Sequence, residues 1–220
     1  LPSDTTDTTK VPKDTLKAPL AHAEQPALVG IGAQYHWDRE QMFATGAINL
    51  LDLLTLIPGV TAYRSGWLTS PQYAAYLGNP ARVRFFYDGV EIDALDPRSP
   101  GAMDVSEVQL WSLEDVSVER GADELRVYLR SWRVARTSTN TRVDVLTGDQ
   151  GTSMYRGFYG KRYDNGMALQ FAGQQYGTNS DPSIGGGDEL ALTGRLGWAN
   201  GPWSLDAFAS RSSRTRDEQD

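Results

Sequence analysis

The sequence predicts an α+β domain followed by the antiparallel strands of an incomplete transmembrane β-barrel. The first half contains one leucine-rich stretch with helical periodicity and several short alternating strands. From about residue 141 the strands become longer, and apolar residues alternate with polar ones along each of them. Tight turns rich in Gly and Asn and one long polar loop separate these later strands, an arrangement typical of barrel hairpins.

Composition excludes several classes of protein. The 220 residues are 40% hydrophobic, which is enough for a buried core, and they include no cysteine that could form a disulfide or hold a metal. The formal net charge of −7 argues against a nucleic-acid-binding domain, which would need a basic face. No apolar run reaches the length of a membrane-spanning helix, whereas a barrel strand needs only about 9–11 alternating residues.

Changes in composition divide the chain into three regions. Residues 1–40 are predicted to be a flexible leader, because they contain few large apolar groups. Residues 41–136 are predicted to fold as a separable α+β domain, with residues 134–140 as a polar linker. Residues 141–220 hold about four or five predicted strands, whereas bacterial outer-membrane barrels have at least eight, so this region is expected to be a barrel fragment.

The first elements of the domain follow from periodicity and from residues that break helices. Thr45 is predicted to cap one helix that carries leucines at helical spacing up to Ile57. Pro58-Gly59 then ends this helix. A short extended piece at residues 60–63 and a loop at residues 65–80 are expected to follow.

Alternating apolar residues predict the later strands of the domain. Two strands, at residues 83–87 and 90–92, flank Asp88-Gly89, which is a strong signal for a type I′ hairpin turn. In such a turn both central residues have a positive φ angle. A further strand is predicted at residues 115–121, and one more, at the surface of the domain, is predicted at residues 125–130.

Four short phrases occur in a fixed order over about residues 45–121. They are the leucine-rich helix, Ile57-Pro58-Gly59-Val60, Phe86-Tyr87-Asp88-Gly89-Val90 and Val116-Ser117-Val118-Glu119-Arg120-Gly121. Together they resemble the plug domain of TonB-dependent receptors, in which the matching phrases are Leu-Pro-Gly-Val, Asp-Gly-Val and Ile-Glu-Val-x-Arg-Gly. The resemblance assigns a structural role in the plug motif to Pro58, Gly59, Asp88, Gly89, Glu119, Arg120 and Gly121.

This resemblance implies an outer-membrane receptor whose plug closes a barrel, with the plug and the N-terminus on the periplasmic side. A scarce ligand such as an iron chelate, a vitamin or a glycan would bind outside, and a TonB-type inner-membrane energy-coupling protein would displace the plug. Outer-membrane lipid is the other implied partner, and no enzymatic activity, cofactor, metal or nucleic acid is implied. Trp67, Tyr73 and Tyr76 would face the ligand from the loop at the plug apex, or else pack against the barrel wall.

The sequence also departs from the family pattern. No stretch of the leader matches an energy-coupling box, and Asp14-Thr15-Leu16 and Ala27-Leu28-Val29 come nearest. The glycine-rich tract that usually follows the Arg-Gly strand is replaced by residues 122–136, and Asp220 stands where such barrels end on an aromatic residue. These departures keep open an alternative function, a non-transporting plug-like structural or interaction subunit docked on a larger membrane assembly.

Single polar residues give weaker signals. Asp88 and Glu91 are interpreted as a turn residue and an exposed strand residue rather than as catalytic carboxylates. Four arginines, Arg126, Arg130, Arg133 and Arg136, either form the wet face of a strand or pair with acidic groups of the barrel wall. In the barrel region the alternation predicts that Leu169, Phe171, Leu192, Leu196 and Trp198 face lipid, while Gln170, Thr193 and Arg195 face the lumen.

Overall fold

Two five-stranded sheets and a two-stranded sheet organise the protein in the computed structural model, which describes residues 14–22, 24, 26–64, 70–92, 102–149, 151–178 and 186–216. The predicted fold class is confirmed, because an α+β domain precedes a sheet of antiparallel strands. The elements are β1 (Ala33–Asp38), α1 (Arg39–Ala44), α2 (Leu50–Leu54), β2 (Val60–Arg64), β3 (Gln72–Tyr76), β4 (Val83–Tyr87), β5 (Val90–Glu91), β6 (Leu113–Arg120), β7 (Leu125–Ser131), β8 (Asn140–Thr147), β9 (Ser153–Arg162), β10 (Met167–Thr178), β11 (Gly187–Asn200) and β12 (Trp203–Arg216).

The first sheet has the strand order β1-β6-β7-β4-β5 and belongs to the N-terminal domain, residues 33–131. The pairing of β4 with β7 is parallel and the others are antiparallel. The prediction that residues 125–130 form a surface strand is wrong, since β7 is the central strand of this sheet. Leu125, Val127 and Leu129 are fully buried because they point into the core shared with α2.

Two short helices replace the single helix that the sequence predicts from Thr45. Asp38 caps α1 and Asn49 caps α2, each in a capping box that satisfies backbone N–H groups at both ends of the box. Thr45 instead ends α1, and its hydroxyl donates to the carbonyl of Met42. The four leucines of α2 are buried, so the apolar periodicity identified the core face although it misplaced the start of the helix.

Strand β1 lies within residues 1–40, the region for which the sequence predicts a flexible leader. It pairs with β6 over six residues, from Ala33 opposite Arg120 to Asp38 opposite Asp115. Tyr35 and Trp37, two residues apart, both pack against the core of the domain. The first sheet of the domain therefore includes residues that precede position 41.

Strands β2 and β3 form one hairpin of the domain, and β4 and β5 form another. Strand β3 pairs with β2 and occupies part of the region predicted as a loop at residues 65–80, of which residues 65–69 lie outside the described part. The hairpin between β4 and β5 has the predicted two-residue turn, with Tyr87 opposite Val90. Asp88 and Gly89 have φ angles of 46° and 86°, as a type I′ turn requires.

The second sheet, β8 to β12, is a meander in which each strand pairs antiparallel with the next. Its five strands agree with the predicted four or five. The tight turns predicted at residues 164–166 and 199–202 fall where β9 is followed by β10 and β11 by β12. The sheet does not close on itself, so β8 and β12 are edge strands. No helix in the described part of the chain has the length and apolar character needed to cross a membrane.

The β4–β5 turn supplies a test of the hairpin. Replacing Gly89 by Ala puts a Cβ atom at a φ angle of 86°, which should cost about 1 kcal/mol of unfolding free energy. Gly148→Ala is the matched control, because the nearest atom to its added Cβ, Thr152 Cβ, lies at an ordinary 3.6 Å. Urea titrations of both variants measure the difference, and equal stability would contradict the turn assignment.

Candidate functional site at the contact between the two sheets

The second sheet turns a polar face towards the N-terminal domain and an apolar face away from it. Gln170 and Arg195 are each 5% exposed on the face that contacts the domain. Phe171 and Leu196, one position further along their strands, are 55% and 49% exposed on the opposite face. The predicted alternation is therefore present, with Gln170, Thr193 and Arg195 on the inner face and Leu169, Phe171, Leu192, Leu196 and Trp198 on the outer face.

Arg133 connects the N-terminal domain to the second sheet. It lies in the connector, residues 132–139, which joins β7 to β8. Its Nη2 atom is 3.1 Å from Asp88 Oδ2, and its Nε atom is 3.0 Å from Asp206 Oδ2 in β12. The three side chains are largely withdrawn from solvent, so their attraction is less screened than that of a surface pair.

Asp88 has partners beyond its turn. Its carboxylate accepts hydrogen bonds from the backbone N–H and the hydroxyl of Ser131, at 2.9 and 2.5 Å. Burial alone would raise the pKa of Asp88, but the hydrogen bonds from Ser131 and the charge of Arg133 hold that pKa below its usual value. The interpretation of Asp88 as a turn residue is therefore incomplete, because its carboxylate also binds the connector.

Arg195 completes this group of charges from the inner face of β11. Its Nη1 atom lies 2.9 Å from Asp206 Oδ2, and its Nη2 atom donates to the hydroxyl of Ser131 at 2.8 Å. Asp206 is thus shared by two guanidinium groups, one from the connector and one from the second sheet. We call Asp88, Ser131, Arg133, Arg195 and Asp206 the charge network, in which two positive charges balance two negative ones.

A second set of polar contacts joins the two sheets away from the charge network. Arg214 Nη1 in β12 lies 2.8 Å from Asp104 Oδ2, and the other oxygen of that carboxylate accepts the N–H of Gln72. Trp111, which is 1% exposed, donates its indole N–H to the amide oxygen of Gln174 at 3.0 Å. Polar side chains of the second sheet therefore bind the domain at several separate places.

Trp132 forms a wedge between the domain and β9. A Cβ atom added at Gly160 would lie 2.4 Å from Trp132 Cη2, so glycine leaves the space that the ring fills. The guanidinium carbon of Arg39 lies 4.2 Å from the Trp132 ring centre and 4.4 Å from that of Phe158, distances typical of cation–π contacts. Burial lowers the pKa of Arg39 to about 10, so this cation keeps its charge at neutral pH.

Two phrases of the predicted plug motif meet around Tyr76. Arg120 Nη1 reaches the carbonyl of Pro58 at 3.5 Å. Gly59 has a φ angle of 90°, and a Cβ atom there would lie 3.0 Å from the Tyr76 ring. The Tyr76 hydroxyl donates to the carbonyl of Gly121 at 2.7 Å. These positions therefore hold the α2–β2 corner against the end of β6.

Glu119, the acidic residue of the same motif, binds the leader to the domain. Its fully buried carboxylate accepts the N–H groups of Val29 and Gly30 at 3.1 and 2.7 Å and the hydroxyl of Tyr128 at 2.8 Å. Burial would raise the pKa of Glu119, but these three hydrogen bonds hold that pKa below its usual value. The carboxylate fixes the point at which the chain enters the domain.

Two of the three aromatic residues predicted to face a ligand lie in strand β3 rather than in a loop. Trp67 lies outside the described residues. Tyr73 is half-buried in β3, opposite Tyr63 of β2. Tyr76 is 4% exposed and belongs to the core of the domain, so it offers almost no surface to a ligand in this arrangement.

The four arginines of the predicted cluster pair with different acidic residues. Arg133 pairs with an acidic group of the second sheet, which is one of the two predicted alternatives. The other three pair elsewhere, Arg126 with Glu124, Arg130 with Asp115 and Arg136 with Asp14. The acidic partner Asp206 was missed in the sequence, although its place between Leu205 and Ala207 in an alternating strand is the signal of an inward polar residue.

Comparison with known families identifies the first domain. The family model described as "TonB-dependent Receptor Plug Domain" matches residues 32–128. A search of curated proteins finds no match. The matched residues include all four phrases on which the predicted resemblance rested.

Several solved structures share the fold. The pyoverdine outer membrane receptor FpvA from Pseudomonas aeruginosa PAO1 is 14% identical with a TM-score of 0.60, covering 90% of this chain and 28% of its own. The ferric-catecholate import receptor Fiu from E. coli K12 is 15% identical with a TM-score of 0.60, covering 90% and 31%. The siderophore receptor PirA from Pseudomonas aeruginosa is 16% identical with a TM-score of 0.52, covering 82% and 35%. The chain thus spans about a third of these structures or less.

The Trp132 wedge gives a test of the contact between the sheets. Gly160→Ala places a methyl group against the indole ring and should destabilise the protein by about 1–3 kcal/mol, as overpacking does. Gly194→Ala is the control, because its Cβ would lie 3.9 Å from Phe171 on the outer face. Denaturant titration measures both, and Trp132→Leu combined with Gly160→Ala should recover part of the loss. A fully stable Gly160→Ala variant would contradict the wedge.

Proposed function

Because residues 32–128 match the family model of the TonB-dependent receptor plug domain, we propose that the chain is the N-terminal part of an outer-membrane receptor that takes up a scarce ligand. In this proposal the N-terminal domain is the plug, and β8 to β12 are the first strands of the barrel that encloses it. The plug and the leader lie on the periplasmic side. The receptor binds and moves its ligand without covalent chemistry.

The inverted polarity of the second sheet is the observation that carries the proposal. A sheet in water keeps its apolar face inside, whereas here buried Gln170 and Arg195 face the domain and exposed Leu192 and Leu196 face outward. An apolar outer face suits lipid, and a polar inner face suits a lumen filled by a hydrophilic plug. The outward band also includes Val143, Tyr155, Leu190 and Leu205.

The polar contact between the sheets suits a plug that is displaced and returns. The charge network and the contacts of Arg214 and Trp111 are hydrogen bonds and ion pairs that water can replace when the surfaces separate. An apolar interface of the same size would expose hydrophobic surface in that step. We propose that a TonB-type inner-membrane protein supplies the energy, since the plug family implies that partner.

Strands β8 and β12 each have one edge that pairs with no other strand in the described part of the chain. Unpaired N–H and C=O groups cost several kcal/mol each in hydrocarbon, so both edges need further strands in a membrane. The proposal therefore applies to a receptor in which additional strands of the same barrel pair with β8 and β12. The similar structures are also longer, because the matched part of this chain covers only 28–35% of each of them.

An iron chelate is the ligand class that we favour over a vitamin or a glycan. Three of the similar structures are receptors for siderophores by their descriptions, and another is described as a copper transporter. Tyr73, which is half-buried, is one proposed ligand contact. Trp67 is the other, because the resemblance places it in the loop at the plug apex. Tyr76 is left out of the proposed site, because it is buried in the core.

A second candidate function is a plug-like subunit that docks on a larger membrane assembly without transport. One observation favours it: residues 14–21 of the leader are bonded to the second sheet and the connector. A leader fastened in this way is less accessible to an inner-membrane partner. The two functions differ in whether any ligand crosses the membrane.

An uptake experiment separates the two functions. Cells that lack their other iron receptors and make the full-length protein are given radiolabelled ferric catecholate and ferric hydroxamate chelates and, separately, radiolabelled copper. The receptor function predicts accumulation of at least one chelate, and this accumulation should stop when the proton gradient is collapsed. Normal assembly in the outer membrane with no accumulation of either iron chelate or of copper would favour the non-transporting subunit.

The membrane placement makes a separate prediction. Leu192→Arg puts a charge on the outer face, where it should cost about 2–4 kcal/mol at the bilayer midplane and prevent assembly. Thr193→Arg is the control, because Thr193 lies on the inner face of β11, where a lumen-facing change costs little. Fractionation of outer membranes from cells making each full-length variant measures assembly. Equal tolerance of both changes would show that this sheet does not face lipid.

A further inference from the structure

The leader is fastened at two separate places, and the hydrogen bonds that hold the first of them join it to the connector and the second sheet. Residues 14–21, which we call the strap, make backbone hydrogen bonds to the connector: Lys17 N–H to the Ala135 carbonyl at 2.9 Å and Thr137 N–H to the Thr15 carbonyl at 3.0 Å. Ala21 N–H donates to the hydroxyl of Ser204 in β12 at 2.7 Å. The second place is the Glu119 carboxylate, which binds Val29 and Gly30.

Charged groups add to the fastening of the strap. Lys17 Nζ lies 2.8 Å from Asp164 in the turn between β9 and β10. Arg162, which is 1% exposed at the end of β9, donates to the Ala18 carbonyl at 3.0 Å. At the other end of the strap, Asp14 pairs with Arg136 of the connector at 2.9 Å. All of these partners belong to the connector or to the second sheet.

Leu20 is the apolar anchor of the strap. Its side chain is 3% exposed and packs with Trp132, Val134 and Ala168. Gly197 of β11 makes room for it, because a Cβ atom there would lie 2.3 Å from Leu20 Cδ1. The strap therefore fits a recess in the inner face of the second sheet, and the recess depends on a glycine.

The chain between the two fastenings is exposed. Residues 22, 24 and 26–28, the described part of this stretch, are all solvent-exposed. Seven residues lie between Ala21 and Val29, and they can span at most about 25 Å when fully extended. Tension on the leader from the N-terminal side therefore meets the strap first, then this stretch, then the Glu119 contact, and only then β1.

We propose that the strap is a conformational latch that holds the leader on the barrel strands and keeps tension from the plug until it detaches. This proposal rests on the proposed function, because it gives the order of events when an inner-membrane partner pulls. Detachment of the strap leaves the Glu119 contact and the first sheet intact. Movement of the plug follows only when the exposed stretch is taut and the Glu119 contact opens.

Hydrogen exchange on the full-length protein tests the independence of the two fastenings. Gly197→Ala fills the recess of Leu20 and should speed amide exchange in residues 14–22 about tenfold or more, while residues 29–38 exchange at the wild-type rate. Leu20→Ala should act in the same direction without altering the second sheet. Gly194→Ala, on the outer face of the same strand, should change neither segment.

The outcomes are distinct. Faster exchange in both segments would mean that the strap and the plug open as one unit, and unchanged exchange in residues 14–22 would mean that Leu20 does not hold the strap. Either result overturns the proposal.

Pulling single full-length molecules by their N-terminus should show a first rupture that Gly197→Ala weakens and a later one that it leaves unchanged. These measurements need neither ligand nor partner, so a protein that takes up nothing would still give them, and failed uptake would count against the proposed function alone.

Discussion

One guanidinium group, that of Arg133, fixes the position of the N-terminal domain against the second sheet. It binds Asp88 at the tip of the β4–β5 hairpin and Asp206 on the inner face of the second sheet. Removing either carboxylate would leave a largely buried cation without full compensation, which is more costly than the pair itself is stabilising. The orientation of the domain against the strands therefore depends on a balanced group of charges rather than on apolar packing alone.

The contacts of the connector with the second sheet depend on this placement of the domain. Trp132, next to Arg133 in the chain, reaches the space above Gly160 only when the connector lies along β9. Its backbone carbonyl then accepts the amide of Gln170, and the N–H of Val134 donates to the same side chain. The connector thus acts as part of the interface, although its composition suggested a linker between separable domains. Val134 is 4% exposed because it packs between the leader and β10.

Local features of the fold could be predicted from the sequence, and long-range pairings could not. The turn at Asp88-Gly89 follows from two residues that tolerate positive φ, and the alternating strands follow from a repeat of two. The central position of β7 depends on its parallel partner β4, about 40 residues earlier, which no local pattern specifies. Glu119 was placed in a family motif, but its role depends on N–H groups 90 residues earlier in the chain.

Arg133 and Asp206 should be energetically coupled across the contact between the two sheets. A double-mutant cycle on the full-length protein, with Arg133→Gln, Asp206→Asn and the combined variant, measures that coupling from free energies of unfolding. Residues in one buried ion-pair network should show an interaction energy of about 0.5–3 kcal/mol. Additivity within about 0.3 kcal/mol, the behaviour of independent sites, would contradict the account.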